Sequence, residues 1–568
     1  MAYIVKQAVS HGRINIHVAE NHYIPKKGPR QTRKYIGVLD IKNNELLLGA
    51  KQTEPDTALL AMLEAKGIVY KGRRADSPGR KQIGESSNLP KKRVREYIEK
   101  AQVFEVGRRD AFRHLAMESG LSSCLSSAYG EEIGERILSA AIFQASEAMP
   151  LYLAGEWASE TGGGEAMSSA SLSRLMDDIG RNTESSNVFF VEWIKACGTP
   201  TSVIHDTTSI SSHATDIDDV EWGYNRDKEQ LPQINIALVV ARDSQLPIWY
   251  RTVSGSIPDV SSLKVTSTIL KDLGLKDFSF SLDRGYFSRG NLIDMRDNAI
   301  AFTIGVPPSQ IQASKIISSS VVALESADNS ILFNGRRLRY AAREYELLGK
   351  INEIIKLSGH VFLDLERRES AAGKLETTLL ELEVQAKTSV FCSKSQADAW
   401  VSEHAMKLEK YFNVLGKDPL WTISRNIAGI ARTLETAGVA LILTSYSGDA
   451  PQAVLDTYRC RDIAEKIFDT AKNGIGLSRL RTSSQQHAYG RVFVSFIAVI
   501  LRALIEAKLK KAKLLTKYSV DEALAILRKI KTIKMSDGTI VFIEVPKKAR
   551  LIKEAIEGNA PKISTSKT

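Results

Sequence analysis

Three acidic residues in this sequence have contexts that suit metal-assisted phosphate chemistry. Asp206 follows the apolar run SVIH, Asp283 follows the run FSFSL, and Glu465 lies in the helix-like segment LDTYRCRDIAEKIFDTAKN. Carboxylates at neighbouring strand ends, together with one from an adjacent helix, can converge on hard cations such as Mg2+. Two such ions about 3.5–4 Å apart activate the attacking oxygen and stabilise the leaving oxygen in an in-line phosphoryl displacement. Taken singly, an aspartate at a strand end is more often a turn former or a helix cap.

The helix-like segment around Glu465 adds three further side chains at regular spacing. Tyr458, Arg461, Glu465 and Lys472 are separated by three, four and seven residues. In one continuous helix, at about 100° per residue, they would share roughly a 60° arc of one face. A phenol, a guanidinium, a carboxylate and an ammonium group in line suit a metal ligand flanked by phosphate-binding cations. An exposed face with ion pairs has the same spacing, and periodicity alone favours that interpretation.

The elements that must position these residues are predicted from the runs around them. Residues 198–308 hold five short β-branched and aromatic runs, with helix-like segments after the third and the fourth. This order predicts a mixed α/β sheet with crossover connections, and it is also the order of the ribonuclease-H-like fold. GVALILTSYSG is predicted to be a strand that rejoins this sheet. Two helices are predicted after it, at about 452–472 and 487–508.

The rest of the chain is predicted from composition and periodicity. Short β-like runs surround a basic turn-rich segment at 25–34, and further basic stretches at 71–81 and 88–101 suit either phosphate contacts or a solvated surface. SETGGGEAMSS at 159–169 is predicted to be a flexible break between helices. The predicted regions are a basic β-rich DNA-binding region (1–101), a helical region (102–197), the first part of a catalytic core (198–308), an insertion (309–440), the second part of the core (441–508) and a basic C-terminal region (509–568) formed by a helix and a short hairpin.

Charge and composition narrow the class of protein. The 77 Lys and Arg residues outnumber the 66 Asp and Glu residues, which gives a net charge of +11. This excess favours a polyanionic partner such as nucleic acid, although many proteins are mildly basic without one. The four cysteines form no CxxC pair, so neither a zinc site nor a disulfide framework is expected. No signal peptide, membrane-length apolar run or GxxxxGK[ST] phosphate loop is present, so we expect a soluble intracellular protein that does not depend on ATP.

Several blocks of the sequence together resemble one known family. The spacing Tyr-x-x-Arg-x-x-x-Glu-x-x-x-x-x-x-Lys at 458–472 is similar to the YREK signature of bacterial insertion-sequence transposases of the IS-four family. DTTSI at 206–210, YNRDKEQLPQINIALVV at 224–240 and SLDRGYFS at 281–288 resemble that family's first and second aspartate blocks, in the same order. The resemblance is strong over 203–308 and 440–505 and weak over 309–440 and the tail.

The resemblance implies a DDE transposase with a ribonuclease-H-like catalytic core that is interrupted by a β-rich insertion. Asp206, Asp283 and Glu465 would hold two Mg2+ ions, for which Mn2+ is the expected substitute. Arg461 and Lys472 would grip phosphates of the transposon end, and Tyr458 would contact DNA near the cleaved bond.

The resemblance also implies the partners of the chain. They are double-stranded DNA at terminal inverted repeats, target DNA, and a second copy of the chain in a homodimer on paired ends. The expected location is the cytoplasm of a bacterium or archaeon, in association with the nucleoid. Relatives stack a flipped base on an aromatic residue of the insertion; Trp400 and Trp421 are candidates, although each is more often a core residue.

Two alternatives stay open at this point. The chain could be a degenerate or domesticated relative that binds DNA without cutting it, although the intact signature and both aspartates argue against this. It could also be a ribonuclease-H-like nuclease that cuts without strand transfer. His205, next to Asp206, is either a partner of that carboxylate or a simple strand residue.

Overall fold

A computed structural model gives the fold of the chain. It forms two compact units, Met1–Lys100 and Ala101–Thr568. The residues that the structure describes are 2–9, 13–24, 28–40, 44–48, 54–73, 100–163, 167–351, 353–482 and 484–558.

The first unit is a five-stranded sheet with one helix. Its strands lie in chain order, all neighbours being antiparallel except the last pair, which the helix joins as a parallel crossover. Leu46, Leu48 and Leu63 fill the core between sheet and helix. The predicted basic stretches at 71–81 and 88–101 fall mostly outside the described residues, so DNA binding by this unit stays a prediction. The elements are β1 (Ala2–Val9), β2 (Arg13–Ile24), β3 (Gly28–Asp40), β4 (Glu45–Leu48), α1 (Thr57–Glu64) and β5 (Val69–Arg73).

The second unit begins with one short strand and then a run of helices, as the three- and four-residue spacing of apolar residues predicts. The break predicted at 159–169 separates two of these helices, with residues 164–166 outside the described part of the chain. The elements are β6 (Gln102–Glu105), α2 (Gly107–Glu118), α3 (Leu121–Tyr129), α4 (Glu131–Ser146), α5 (Ala154–Thr161), α6 (Ser169–Arg181) and α7 (Thr183–Ala196).

The central sheet follows, and its five predicted strands and two predicted helices are all confirmed. Three antiparallel strands come first, and the fourth and fifth strands are reached by helical crossovers and run parallel to the first. The sheet is therefore mixed, with the first strand at its middle. The elements are β7 (Ser202–Ser212), β8 (Gln233–Ala241), β9 (Pro247–Ser254), α8 (Asp259–Asp272), β10 (Ser279–Leu282), α9 (Arg289–Asp297) and β11 (Ala301–Val306).

The segment predicted as an insertion at 309–440 contributes to the same sheet. Beyond β11 the sheet continues through β17, β14, β13 and β12, because β14 pairs with β17 over six positions. The strand predicted in GVALILTSYSG is confirmed as β17 and rejoins the sheet as expected. The elements of this part are α10 (Ile311–Glu325), β12 (Ser330–Phe333), β13 (Arg336–Leu348), β14 (Ile354–Asp364) and β17 (Val439–Thr444).

A narrower stretch between β14 and β17, which we call the insertion module (365–436), has its own hydrophobic core. Three helices and one two-stranded hairpin build this core, so the module contains more helix than the β-rich insertion that the sequence led us to expect. Its elements are α11 (Leu365–Lys387), α12 (Lys394–Ala405), β15 (Phe412–Lys417), β16 (Leu420–Arg425) and α13 (Ile427–Thr436).

The last part of the chain folds back on the helices near the start of the unit. The predicted C-terminal helix and hairpin are present, and the hairpin pairs with β6 to make a three-stranded sheet. Within the described residues no single helix has the length and hydropathy of a membrane span; the bent pair Glu131–Ser146 and Leu151–Thr161 meets those criteria only together. The elements are α14 (Pro451–Arg459), α15 (Asp462–Asp469), β18 (Arg479–Leu480), α16 (Gln485–Lys511), α17 (Val520–Leu527), β19 (Lys531–Lys534), β20 (Ile540–Phe542) and α18 (Lys547–Glu557).

The long helix α16 joins the helical region to the sheet. It packs against α6 at very short range, because two glycines lie at the crossing. A Cβ atom on Gly490 would stand 1.9 Å from the carbonyl oxygen of Met176, and one on Gly180 would stand 1.8 Å from that of Gln486. Any larger residue at either position would push the helices apart.

Candidate active site

Two of the predicted carboxylates are neighbours in the centre of the sheet. β7 and β10 run parallel with Leu282 opposite His205, so the next residue of each strand, Asp206 and Asp283, continues the same register. Asp283 follows the last residue of β10, as predicted. Asp206 lies inside β7 and not at its end, which corrects the prediction. The strand continues to Ser212 because it pairs with β8 over nine positions.

The carboxyl group of Asp206 is held in place and is costly to ionise. Its Oδ1 accepts a hydrogen bond from the backbone N–H of Thr207 at 2.8 Å. Burial and, to a smaller extent, the charge of Asp283 together raise the pKa of Asp206 to about 6, although the guanidinium of Arg226 opposes this shift. A cation beside these two carboxylates would remove the cost of their mutual repulsion.

The third carboxylate, Glu465, lies near Asp283, and the Arg461 guanidinium contacts both. Arg461 Nη1 lies 2.5 Å from Asp283 Oδ1 and 3.9 Å from Glu465 Oε1. These two distances share one nitrogen, so the two carboxylate oxygens are at most about 6.4 Å apart. The Glu465 side chain is 60% exposed, which leaves it accessible to a substrate. We call Asp206, Asp283 and Glu465 the acidic site.

The helix that carries the signature is not continuous, which corrects the predicted single helix and its common face. α14 ends at Arg459, α15 begins at Asp462, and a π-helical turn covers Thr470–Gly474. Between α14 and α15 the N–H groups of Ile463 and Ala464 bond to carbonyls three residues earlier, which tightens the turn.

The broken helix divides the four signature residues into two sets. Tyr458, Arg461 and Glu465 gather around Asp283. Lys472 turns elsewhere, and its Nζ lies 2.6 Å from Asp227 Oδ2 in the loop between β7 and β8. The four residues therefore do not share one face of a regular helix.

Tyr458 is fixed between the sheet and Arg461. Its ring lies against Gly305 of β11, where a Cβ atom would meet the phenol oxygen at 2.4 Å. The Arg461 guanidinium carbon stands 4.6 Å from the ring centre, in cation–π contact. The phenol donates a long hydrogen bond of 3.4 Å to Asp283 Oδ1. Burial raises the pKa of Tyr458, so the phenol keeps its proton at neutral pH.

Buried and partly buried residues near Asp206 make contacts to which the sequence assigned no role. Arg226 forms an ion pair with Asp259, and the Tyr286 hydroxyl is hydrogen-bonded to that of Thr207. Arg226 belongs to the block YNRDKEQ, where the neighbouring charges gave no hint of a partner in α8. These contacts support the strand on which Asp206 lies.

His205 is a buried strand residue. Its Nδ1 is bonded to the carbonyl of Leu238 at 3.2 Å, and its ring packs 4.9 Å from that of Tyr286. Burial lowers its pKa to about 4, so the imidazole is neutral at physiological pH. Of the two interpretations of His205, this geometry favours the structural one.

The two tryptophans considered for base stacking belong to the insertion module. Both are partly buried against its core. Trp400 stacks on His404 with ring centres 4.4 Å apart, and Trp421 donates its indole N–H to Asp418 at 2.7 Å. Each therefore has partners within the module.

The residues of the acidic site have the right ligand chemistry but are not gathered as a finished metal site. In the described part of the chain, no group of three or more His, Cys, Asp or Glu side chains lies close enough to hold a metal ion. The reason is visible in the geometry, since the Arg461 guanidinium lies between Asp283 and Glu465.

Among known proteins, a solved structure and a protein family are similar to this chain. No curated protein matches the chain. Among solved structures, the chain is similar to a cryo-EM structure of the piggyBac transposase synaptic complex with hairpin DNA, at 10% identity and a TM-score of 0.31; 68% of this chain and 63% of that one are covered. This chain therefore spans less than two thirds of that relative, and so distant a likeness carries no argument.

The family match covers enough of the chain to assign the family. The family described as "Transposase DDE domain" matches residues 198–501, which is more than half of the chain and contains Asp206, Asp283 and Glu465. The match begins just before β7 and ends within α16, so it spans the central sheet, the insertion module and the broken helix. The chain belongs to the transposase DDE domain family.

Proposed function

We propose that this protein is a DDE transposase that cuts and rejoins DNA at the ends of an insertion sequence of the IS-four family. The observation that supports the proposal is that Asp206 and Asp283 lie side by side on neighbouring strands, with Arg461 between Asp283 and the helix-borne Glu465, inside the matched transposase domain. The reaction is a phosphoryl transfer in which positioning and charge stabilisation do most of the work.

The residues of the acidic site fit divalent metal ions by their chemistry. Three carboxylates offer the hard oxygen ligands that Mg2+ and Mn2+ prefer. Asp206 supports this fit, because burial and the neighbouring Asp283 leave its charge without full compensation. Two bound ions would supply an activated attacking oxygen and stabilise the leaving oxygen.

The protein's own side chains would bind and orient the DNA. Arg461 keeps Asp283 and Glu465 together and offers a planar guanidinium that suits a phosphate. Tyr458 fixes that guanidinium from one face and holds its proton toward Asp283. Lys472 would contact a phosphate after exchanging its present partner, Asp227.

The wider arrangement follows from the same proposal. The mixed sheet would be a ribonuclease-H-like core, interrupted by the insertion module. Terminal inverted repeats and target DNA would be the substrates, and a homodimer would hold paired ends. The net charge of +11 supports a polyanionic partner.

The test is cleavage and joining of the element's own terminal repeats, with Mg2+ and then with a chelator. Glu465→Gln should abolish cleavage, because the amide cannot supply the charge of a carboxylate ligand, while the fold and most DNA affinity remain. Asp462→Asn is the matched control: Asp462 is exposed in the first turn of the same helix and should be dispensable. If Glu465→Gln cut at the wild-type rate, the assignment of the acidic site would be wrong.

The same assay separates the alternatives. Binding of the repeats without cutting, in Mg2+ and in Mn2+, would identify a relative that has lost catalysis. Cutting without joining would identify a ribonuclease-H-like nuclease. The proposal expects the wild type to cut and then join the repeats, and Glu465→Gln to lose both activities.

A further inference from the structure

A second charged site lies away from the acidic site, between the helical region and the start of α16. It is a cavity of about 460 Å³, within the range of about 300–1,000 Å³ that is typical of ligand sites. Its walls come from the segment after α4, from α6 and from the turn that precedes α16. Two arginines, Arg481 and Arg491, line it, and Ser173 and His487 lie beside them.

In the part of the chain that the structure describes, neither arginine has a carboxylate partner; Arg481 is exposed, whereas Arg491 is partly buried. Arg491 Nε is buried without any hydrogen-bond partner, and Nη1 has only a long bond of 3.4 Å to the carbonyl of Arg481. Among the described residues, neither guanidinium lies within ion-pair distance of a carboxylate. Burial lowers the pKa of Arg491, and the charge of Arg481 lowers it further. An unpaired buried guanidinium is costly unless a ligand completes it.

The carboxylate beside the cavity has another partner. Asp177 of α6 lies 3.6 Å from Nδ1 of His487, the same ring nitrogen that lies 3.5 Å from the Ser173 hydroxyl. Because two arginines face one aspartate, this end of the cavity keeps a net positive charge. The other end is apolar, with Met149 and Tyr152 lining it while remaining 53% and 62% exposed.

We propose that this cavity binds the phosphate group of a nucleotide, with Arg481 and Arg491 holding the phosphate and the Met149–Tyr152 wall contacting the attached sugar or base. A guanidinium fork matches phosphate oxygens, and an exposed aromatic ring gives a base a stacking surface. The nucleotide is either part of a DNA strand or free. The DNA source rests on the proposed function; the free source does not.

The test measures binding to the full-length protein in a chelator, so that no cleavage is required. The probes are inorganic phosphate, deoxyadenosine monophosphate and a duplex of random sequence. Arg481→Gln should weaken binding of the monophosphate at least tenfold. Arg174→Gln, an exposed arginine on α6 that does not line the cavity, is the matched control and should change it less than twofold.

A second variant guards against simple loss of folding. Ser173→Glu would place a carboxylate beside the two arginines, so it should abolish monophosphate binding while leaving the thermal unfolding midpoint unchanged or higher. It keeps both guanidinium groups and therefore tests the need for an open anion site. Its side chain replaces an exposed serine, which the surrounding helix can accommodate.

The outcomes distinguish a free nucleotide from a DNA strand as the source of the phosphate. They also show whether the proposal fails. If the monophosphate binds and Arg481→Gln leaves duplex affinity unchanged, the site takes a free nucleotide. If Arg481→Gln weakens the duplex and lowers the slope of log affinity against log salt by about 0.9, the site takes a DNA phosphate. The proposal is overturned if no probe binds at the site, if Arg481→Gln and Ser173→Glu bind like the wild type, or if inorganic phosphate binds as tightly as the monophosphate.

Discussion

Replacing Gly305 by alanine tests how the site holds Tyr458. A Cβ atom there would stand 2.4, 3.0 and 3.1 Å from three atoms of the Tyr458 phenol group. Ordinary contacts are about 3.5–4 Å, so the ring must move by about 1 Å. Such overpacking costs about 1–3 kcal/mol, and the alanine returns about 0.4–1 kcal/mol by restricting the unfolded chain. We therefore expect a net loss of about 1–2 kcal/mol and a cleavage rate at least tenfold lower.

A double-mutant cycle isolates this contact. In a Tyr458→Ala background the clash disappears, so Gly305→Ala should become neutral or stabilising by up to about 1 kcal/mol. Gly373 of α11 is the control, because a Cβ there meets nothing within 4 Å; Gly373→Ala should stabilise by about 0.5–1 kcal/mol. For a unit of this size, 1 kcal/mol shifts the thermal midpoint by about 1 °C, which differential scanning calorimetry resolves. Equal costs of Gly305→Ala with and without the tyrosine would refute the reasoning.

Two further predictions follow from contacts elsewhere in the second unit. Lys472→Ala should weaken DNA binding and lower the slope of log affinity against log salt by about 0.9, whereas Asp227→Asn should strengthen binding by freeing the lysine. Titrations of labelled duplex at several salt concentrations measure both effects. Weaker binding in both variants would contradict the phosphate role of Lys472. A thiol reagent at pH 8 should label exposed Cys392 before Cys124 and Cys197. Burial raises the pKa of Cys124 to about 11 and that of Cys197 to about 12, which leaves thiolate fractions of about 10⁻³ and 10⁻⁴. Mass spectrometry of the labelled peptides measures the three rates, and equal rates would contradict the prediction.

Local sequence predicted the strands of the central sheet well but not where β7 ends. Its second half, TTSISS, is polar, so the hydrophobic run stops at His205 and suggests a strand end. The structure buries these polar side chains and satisfies them within the core. Thr207 bonds to Tyr286, and Ser209 donates to Asn235 at 3.0 Å. Both partners are distant in sequence, so no local pattern reveals them.

The broken helix could not be predicted from periodicity either. Every residue from 455 to 473 is compatible with a helix, and Arg461 itself has helical backbone angles. The break lies where Tyr458 must contact the sheet and Arg461 must reach Asp283. Tertiary contacts therefore override a local preference that is weak for each residue. The resemblance to a signature identified these residues, but only the fold shows which of them meet.

The bounds of the insertion depend on pairing over long distances. β14 and β17 are neighbours in the sheet although the whole insertion module lies between them. A strand edge that is left open must be covered, and here β14 covers the edge of β17. Composition cannot show which strands of an inserted segment will pair with the main sheet. It did indicate the helix and hairpin of the C-terminal region, because their turn signals are local.

The order of these elements along the chain has a consequence during synthesis. Asp206 and Asp283 lie on strands that can pair as soon as β10 has left the ribosome, whereas Glu465 comes only after the insertion module. Chains are made from the N-terminus and fold domain by domain. A nascent or truncated protein that ends before α15 would therefore contain only two of the three carboxylates. On the proposed function, this order delays DNA cleavage until most of the polypeptide has been made.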